Sequence, residues 1–584
     1  MERLIRGALG EIKADLIISG GKLINVYSGE ILEGMEIAVL DGRICYVGPG
    51  AKHARGDGTE ILDAAGRYIA PGFVDGHTHI GHYCRPFEHL QCYIGCGTTA
   101  LVASCDELST VFGYRGLKLF LEEVERHPLR VYTLASMVAP QDPRLCSTAT
   151  FTNAEIAEAL ADPRVLGMGE IVSWLRLLQC DEEILERLAM AHRNGQIIHG
   201  HTAGARGQKL CAVAAVGISS CHEPIRFEDA IERLRLGYWT MLREGSLRQD
   251  LAETLPRLIA SGVNLQRLIL VTDSMTPDDV AERGHMDHVV RRAIGLGLTP
   301  TQAIQSITLN PAVYSGLEQE IGGIAPGRWA DLVFLESLKE CSVKEVRIAG
   351  KLAARDGVSL VSGPPMSVPP DMMNSLRLNP SLKAESFEIA APARASKIRV
   401  MSLINQTITA ERILAIDAPS GLVEASVRDD RLKVALFDRH NASGAVAFGF
   451  LQGFGARLGA VGLTTNLDEN ALMIVGADDA DMALCANALI EAGGGIAIVC
   501  NGAVIEKLDF PVGGIFSLEP GKVVGGRLKR IQERLREMGS PFDKPIFALN
   551  FLPFVTLPAL RITARGLINV KDRKIVSLFT EGIA

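Results

Sequence analysis

Five places along this chain end an apolar run with a side chain that can bind a metal or move a proton. The first is Pro71-Gly72-Phe73-Val74-Asp75-Gly76-His77-Thr78-His79, which reads as a buried strand. Side chains alternate along a strand, so His77 and His79 point to the same side. Imidazole is the commonest metal ligand among side chains, and two from one rigid strand form half of a pre-organised site. Glu170 then closes Val165-Leu166-Gly167-Met168-Gly169, His201 follows Gln196-Ile197-Ile198-His199-Gly200, His222 follows Ile218-Ser219-Ser220-Cys221, and Asp273 ends Leu268-Ile269-Leu270-Val271-Thr272. Taken singly, each has an ordinary structural use; a strand-end Asp, for instance, often caps the next helix.

Their spacing says what must position them. His79 to Glu170 leaves room for two intervening β/α units, with strands near 98–104 and 129–136. Glu170 to His201 and His201 to His222 are one unit each. His222 to Asp273 holds two, with a strand near Tyr238 to Arg243. The count closes at eight strands, with candidates on the first, fourth, fifth, sixth and eighth. Active sites of eight-stranded β/α barrels lie at the C-terminal strand ends, where all of these residues fall.

Around this core the sequence predicts an α/β protein: a (β/α)8 TIM-like barrel over 70–318, inserted in a small β-sandwich built from 1–69 and 319–358. Short strands are expected at Ala14 to Ser19, Lys22 to Val26, Glu36 to Leu40 and Arg43 to Val47, the last pair turning at Asp41-Gly42, and again at Ala330 to Glu336 and Val343 to Ile348. Amphipathic segments such as Gly116 to Arg126 and Asp181 to Arg193 supply barrel helices. Residues 359–398, with Pro364-Pro365, Pro369-Pro370 and Pro380, read as a linker. Residues 399–584 again alternate strand-like runs (Ala445 to Gly449, Met473 to Val475, Gly495 to Cys500) with helices such as Asp479 to Glu491, a separate α/β or α+β domain. Its Gly493-Gly494-Gly495 follows a helix and precedes a strand, so it reads as a helix-ending turn and not a phosphate cradle.

Composition narrows the function. The 584 residues are too many for one core, and 60 basic against 68 acidic residues give a net charge of −8. That balance carries no footprint for nucleic acid or an anionic membrane. No apolar run is long enough to span a bilayer, and the charged start lacks a secretory pattern. Twelve scattered cysteines without a CxxC pair fit reduced thiols in the cytoplasm. Cys84, Cys92, Cys96 and Cys105 cluster after the histidine pair but match no zinc-module spacing, so buried structural thiols are expected.

At these residues the chain resembles the amidohydrolase superfamily and, within it, the bacterial adenine deaminases, over nearly its whole length. The resemblance rests on His77-Thr78-His79, Gly169-Glu170-Ile171, Gly200-His201, His222-Glu223, Arg243-Glu244-Gly245-Ser246, Thr272-Asp273 and Gly284-His285-Met286-Asp287, with Glu491-Ala492-Gly493-Gly494-Gly495 and Phe551-Leu552-Pro553 near the C-terminus. It implies two divalent ions, Mn2+ or Fe2+ with Zn2+ as the alternative: His77, His79 and Asp273 on one, His201 and His222 on the other, Glu170 bridging. The pair lowers the pKa of a bridging water, whose hydroxide attacks C6 of adenine to give hypoxanthine and ammonia. Asp273 takes the water's proton and passes it to the leaving amine. Glu244 is the expected donor to the ring nitrogen, unless Arg243-Glu244 is only an ion pair. The family also implies a free purine base or similar heterocycle as substrate and a homo-oligomer.

The chain departs from the family pattern near the expected substrate contacts. Gly81-His82 stands where a Glu-Ser pair is usual, His199 where Asp precedes Gly-His, Ser274 where a second Asp follows the eighth strand, and Leu467-Asp468-Glu469-Asn470 lacks two histidines. His82, His199 and Ser274 at these departures, with Arg243 and His285 from the matching motifs, are the expected substrate contacts, unless His285 merely holds a loop. The departures also keep open a second reading, a metal-dependent hydrolase of a cyclic amide or lactam.

Overall fold

In the computed structural model the chain is described over residues 1–581, apart from 137–140, 379–380, 393–394, 417 and 442–443. Eight parallel strands follow in chain order: β1 (Phe73–His79), β2 (Thr98–Ser104), β3 (Arg130–Ala135), β4 (Val165–Met168), β5 (Ile197–Ile198), β6 (Ser220–Cys221), β7 (Trp239–Arg243) and β8 (Leu268–Val271). The first five form one ladder and the last three another. β1 and β8 meet at their C-terminal ends, where Asp273 N donates to His77 O at 3.1 Å and His79 N donates to Asp273 O at 3.2 Å. Asp273 takes a left-handed backbone (φ 63°) to make this bridge.

The other seam, between β5 and β6, is held by side chains. Tyr314 OH and the Gly200 N–H both donate to Ser220 Oγ, at 2.8 and 3.3 Å. A Cβ at Gly200 would stand 2.2 Å from Ser220 O, so only glycine allows this approach. The barrel wall is apolar, from fully buried residues such as Leu101, Met168 and Leu270.

The chain enters and leaves the barrel through one sheet. Tyr68–Pro71 pairs antiparallel with Leu332–Leu335 and parallel with Lys22–Asn25 in a seven-stranded sheet. Leu16, Ile18, Ile37, Val39 and Ile44 of a facing four-stranded sheet pack against Leu23, Ile69, Leu332 and Phe334. Among the short strands that escape the sequence pattern are Glu30–Glu33 and Glu60–Asp63. Each sets two adjacent apolar residues between acidic ends and is mostly exposed, so it carries no two-residue alternation.

The segment expected as a linker over 359–398 overlaps a strand at each end and packs between them. Ser359 closes a strand of the seven-stranded sheet, and the strand Ala395–Leu403 starts before 399. Between them Met366, Val368 and Met373 pack on the barrel core, and Arg85 donates to Pro364 O at 2.7 Å. Apolar side chains among the prolines make this a packed strap; Pro380 lies outside the described residues. Beyond it, a nine-stranded sheet carries the helix Asp479–Glu491 on one face and Gly521–Glu537 on the other. Gly493, Gly494 and Gly495 all have positive φ, and Gly494 N donates to Leu489 O at 2.8 Å, the expected helix-ending turn.

This second body lies on the barrel mouth. Phe516–Ser517 pairs with Tyr83–Cys84, the segment after β1. Asn550 donates to Tyr83 OH at 2.6 Å, and Lys544 donates to Asp278 and lies 2.9 Å from Asp279, both on the helix after Asp273.

Candidate metal centre

All five strand ends deliver their residues to one point. Glu170 sits at the centre: its Oε1 lies 2.9 Å from His79 Nε2 and 3.2 Å from His77 Nε2, its Oε2 2.7 Å from His201 Nδ1 and 3.4 Å from His222 Nε2. Asp273 Oδ1 lies 3.3 Å from His77 Nε2. One donor atom each from His77, Glu170, His222 and Asp273 falls within 4.8 Å of the others; so does one each from His201, His222 and Glu223, and from His79, Asp106 and Glu170.

Such a gathering of buried groups needs a reason. His77 Nε2, the ring nitrogen turned toward Glu170 and Asp273, is buried without a hydrogen-bond partner, and buried polar groups are rarely left so. A cation facing that lone pair would supply the missing interaction, so the donor set fits divalent metal binding.

The electrostatics agree. Burial alone would lower His77 and His201, but Glu170 with Asp273 lifts the first, and Glu223 with Glu170 lifts the second, each to about 9. His79 is raised too, by Glu170, Glu107 and Asp106 against the same burial. Burial would raise Glu170, yet His222, His77 and His201 hold it well below the usual range. Asp273 is likewise depressed against its burial, by His222, His77 and Arg243. His222 is pushed down to about 3 by burial and by His77. In metal-free protein the cluster is thus a proton-sharing network of carboxylates and imidazoles.

The other predicted residues divide. Arg243, His82 and Ser274 line the cavity above the cluster, about 440 Å³ in volume. Arg243 pairs with Glu223, donates to Asp250 Oδ2 at 2.9 Å and reaches Asp273 Oδ2 at 3.2 Å. His82 stacks on Tyr83 at 3.9 Å, its Nε2 is unpartnered, and burial pushes it down to about 3. His199 lies beneath, its ring 5.4 Å from His77.

Glu244 and His285 are not brought to the cavity. Glu244 follows Arg243 and points the opposite way, into the helix layer, with Arg292 Nε at 3.3 Å and His288 Nε2 at 3.7 Å. Its ion pair is with Arg292 and not with Arg243, and it stands outside the cavity where a ring would be protonated. His285 stacks on Tyr93 at 3.7 Å, and its Nδ1 lies 2.7 Å from Thr98 Oγ1. It fastens the start of β2.

Sequence reasoning missed several residues here. Asp106 and Glu107 follow β2 and approach His79 Nδ1 at 3.4 and 3.7 Å. Burial, with Asp106 adding to it, pushes Glu107 up to about 7 against the pull of His79. Their place at a strand end was a readable signal. So was that of Glu223, next to His222 and 3.8 Å from His201 Nδ1. The cavity's far wall, with Asp468, Asn470, Asn550, Phe551 and Phe554, comes from the C-terminal body, and no local pattern ties it to the barrel.

Residues 68–353 match the amidohydrolase family, and residues 406–574 match the adenine deaminase C-terminal domain. The chain is 38% identical to an adenine deaminase of Cenarchaeum symbiosum, covering 99% of this chain and 94% of that one. It is also 38% identical to an adenine deaminase of Moorella thermoacetica, covering 99% and 98%. Among solved structures it is similar to a β-aspartyl dipeptidase from Fervidobacterium islandicum, with a TM-score of 0.47 at 19% identity, covering 60% of this chain and 99% of that one.

Proposed function

The chain belongs to the adenine deaminase family of amidohydrolases, and we propose that it hydrolyses the exocyclic C–N bond of free adenine to hypoxanthine and ammonia at a two-metal centre. The observation that carries this reading is the division of Glu170: one oxygen faces His77 and His79, the other His201 and His222. A carboxylate flanked so on both sides suits bridging two divalent cations, Mn2+ or Fe2+ given the N and O donors. When bound, such a pair lowers the pKa of water and supplies hydroxide at neutral pH.

The protein's own groups do the rest. Asp273, kept ionised by His222, His77 and Arg243, is the base that takes a proton from the attacking water and returns it to the departing amine. Arg243 fixes the direction of that carboxylate. Phe551, Phe554, Leu247 and Val172 give the cavity an apolar wall against which a flat heterocycle packs. The relatives' names support adenine as the substrate, and twelve free cysteines agree with a reducing cytoplasm. Self-association is proposed on family grounds and is read by sizing the protein in solution.

Purified protein loaded with Mn2+ or Fe2+ and mixed with adenine should release ammonia as the purine absorbance shifts to that of hypoxanthine. Absence of turnover with adenine, together with hydrolysis of a cyclic amide, would overturn the assignment.

A further inference from the structure

The cavity wall opposite the strand ends holds buried polar atoms that bond nothing among the described residues: Asp468 Oδ2, Gln141 Oε1, Asn550 Oδ1 and Thr556 Oγ1. Unsatisfied buried groups are rare, and several on one cavity are unusual. Asp468 is set apart from the others. Its Oδ1 already accepts a hydrogen bond from Gln141 Nε2 at 2.5 Å, so the carboxyl is oriented before any ligand arrives. Its backbone is left-handed (φ 73°), a conformation tolerated by Asp and frequent at functional sites.

We propose that Asp468 is a specificity-determining residue through which the C-terminal domain reads the substrate, its second oxygen hydrogen-bonding a ring nitrogen of the heterocycle. This rests on the reading of the substrate as free adenine. Burial, reinforced by neighbouring Glu469, raises the Asp468 carboxyl well above the usual range against the opposing pull of Gln141 and His201. A neutral carboxyl with Oδ1 accepting from Gln141 presents Oδ2 as an O–H donor, and the ring nitrogens N3 and N7 of adenine are acceptors. Recognition in this form selects a ring nitrogen and leaves the chemistry at the strand ends untouched. It also explains why a second domain lies on the barrel mouth.

The test uses full-length, metal-loaded protein. Asp468→Ala should raise KM for adenine about tenfold or more, the cost of one buried hydrogen bond, while kcat and metal content stay near wild type. Asp468→Asn keeps an acceptor for Gln141 and places an N–H donor at Oδ2, so its KM should stay within about threefold of wild type. As inhibitors, one of 3-deazaadenine and 7-deazaadenine should bind wild type about tenfold more weakly than adenine's own ring predicts, and D468A should lose that discrimination, the coupling expected of a direct contact.

Wild type that holds adenine and both deaza analogues equally overturns the inference with no variant needed, even should D468A fail to fold. An unchanged KM in D468A, or a D468N as impaired as D468A, overturns it too. Wild type that neither binds nor deaminates adenine removes the functional reading as well; wild-type activity with an unaffected D468A removes the Asp468 contact alone.

Discussion

Arg243 donates from Nη1 to Asp273 Oδ2 at 3.2 Å, so a buried guanidinium, not solvent, faces the carboxylate at the closing strand. The same guanidinium serves Glu223 and Asp250, giving three carboxylates one counter-charge. Arg243→Met should therefore strip the shared guanidinium from three buried carboxylates, leaving Asp273 to His77, Glu223 to His201 and His222, and Asp250 to Arg248, a change costing about 3–5 kcal/mol in comparable buried pairs. Urea unfolding of wild type and variant under matched metal conditions reads this loss. Arg243→Lys, which lacks the planar fork, should recover only part of it.

Glu170 and Glu244 make opposite predictions from the same residue type. Glu170→Gln removes the charge that both histidine pairs share, so bound metal, measured by elemental analysis after dialysis, should fall steeply and activity with it. Glu244→Gln alters an ion pair with Arg292 in the helix layer. Its metal content and its kcat should remain within about threefold of wild type, since it lies outside the reacting groups. A loss of kcat of a hundredfold or more in Glu244→Gln would restore it as a proton donor.

Asp273→Asn tests the proton transfer. The amide keeps the size of the carboxylate, and the backbone bridge to His77 O and His79 N needs no side chain. Folding should thus be nearly normal, while kcat should drop about 10²–10⁴-fold, the range for removing a positioned base. Thermal melting separates the two effects. A variant with wild-type kcat would show that another group moves the proton.

The strand ends were legible because barrel geometry forces function onto a repeating position: apolar run, then ligand, once per β/α unit. That is why His77, His79, Glu170, His201, His222 and Asp273 converge as expected. Glu244 misled because a motif match says nothing about which face of β7 a side chain takes; Arg243 occupies the inner face and sends its neighbour outward. The strap near Met366 and Met373 was read as a linker because prolines dominate its composition while a few apolar side chains decide its packing. The segment Leu467-Asp468-Glu469-Asn470 stands out in the sequence as a motif, but the contacts of Asp468 with Gln141 and of Asn550 with Tyr83 were beyond reach, since they join segments over three hundred residues apart and such pairings leave no local pattern.

Metal-free protein should lose stability as the solution is made alkaline, because the imidazole cluster is held by protons when it is not held by cations. His77 and His201 titrate at about 9 in the folded chain, above the ordinary histidine value near 6.5. A group whose pKa is raised by folding adds stability fully below its unfolded value and loses it as pH climbs through the folded one. The window is therefore about pH 6.5 to 9. Groups shifted downward add no pH dependence there: Glu223, held at about 2 against its burial by Arg243, is ionised in both states and its contribution is constant, and His222, pushed to about 3, is neutral in the folded chain throughout. Their effects belong to acid, where protonating Glu223 or charging the unfolded histidine lowers stability. In the alkaline window metal replaces the lost protons, so its affinity should rise with pH as binding releases them. Melting curves of chelator-treated and metal-loaded protein at pH 6.5 and 9 check both statements: the chelated form should melt lower at pH 9 than at 6.5, and the gap between the two forms should widen.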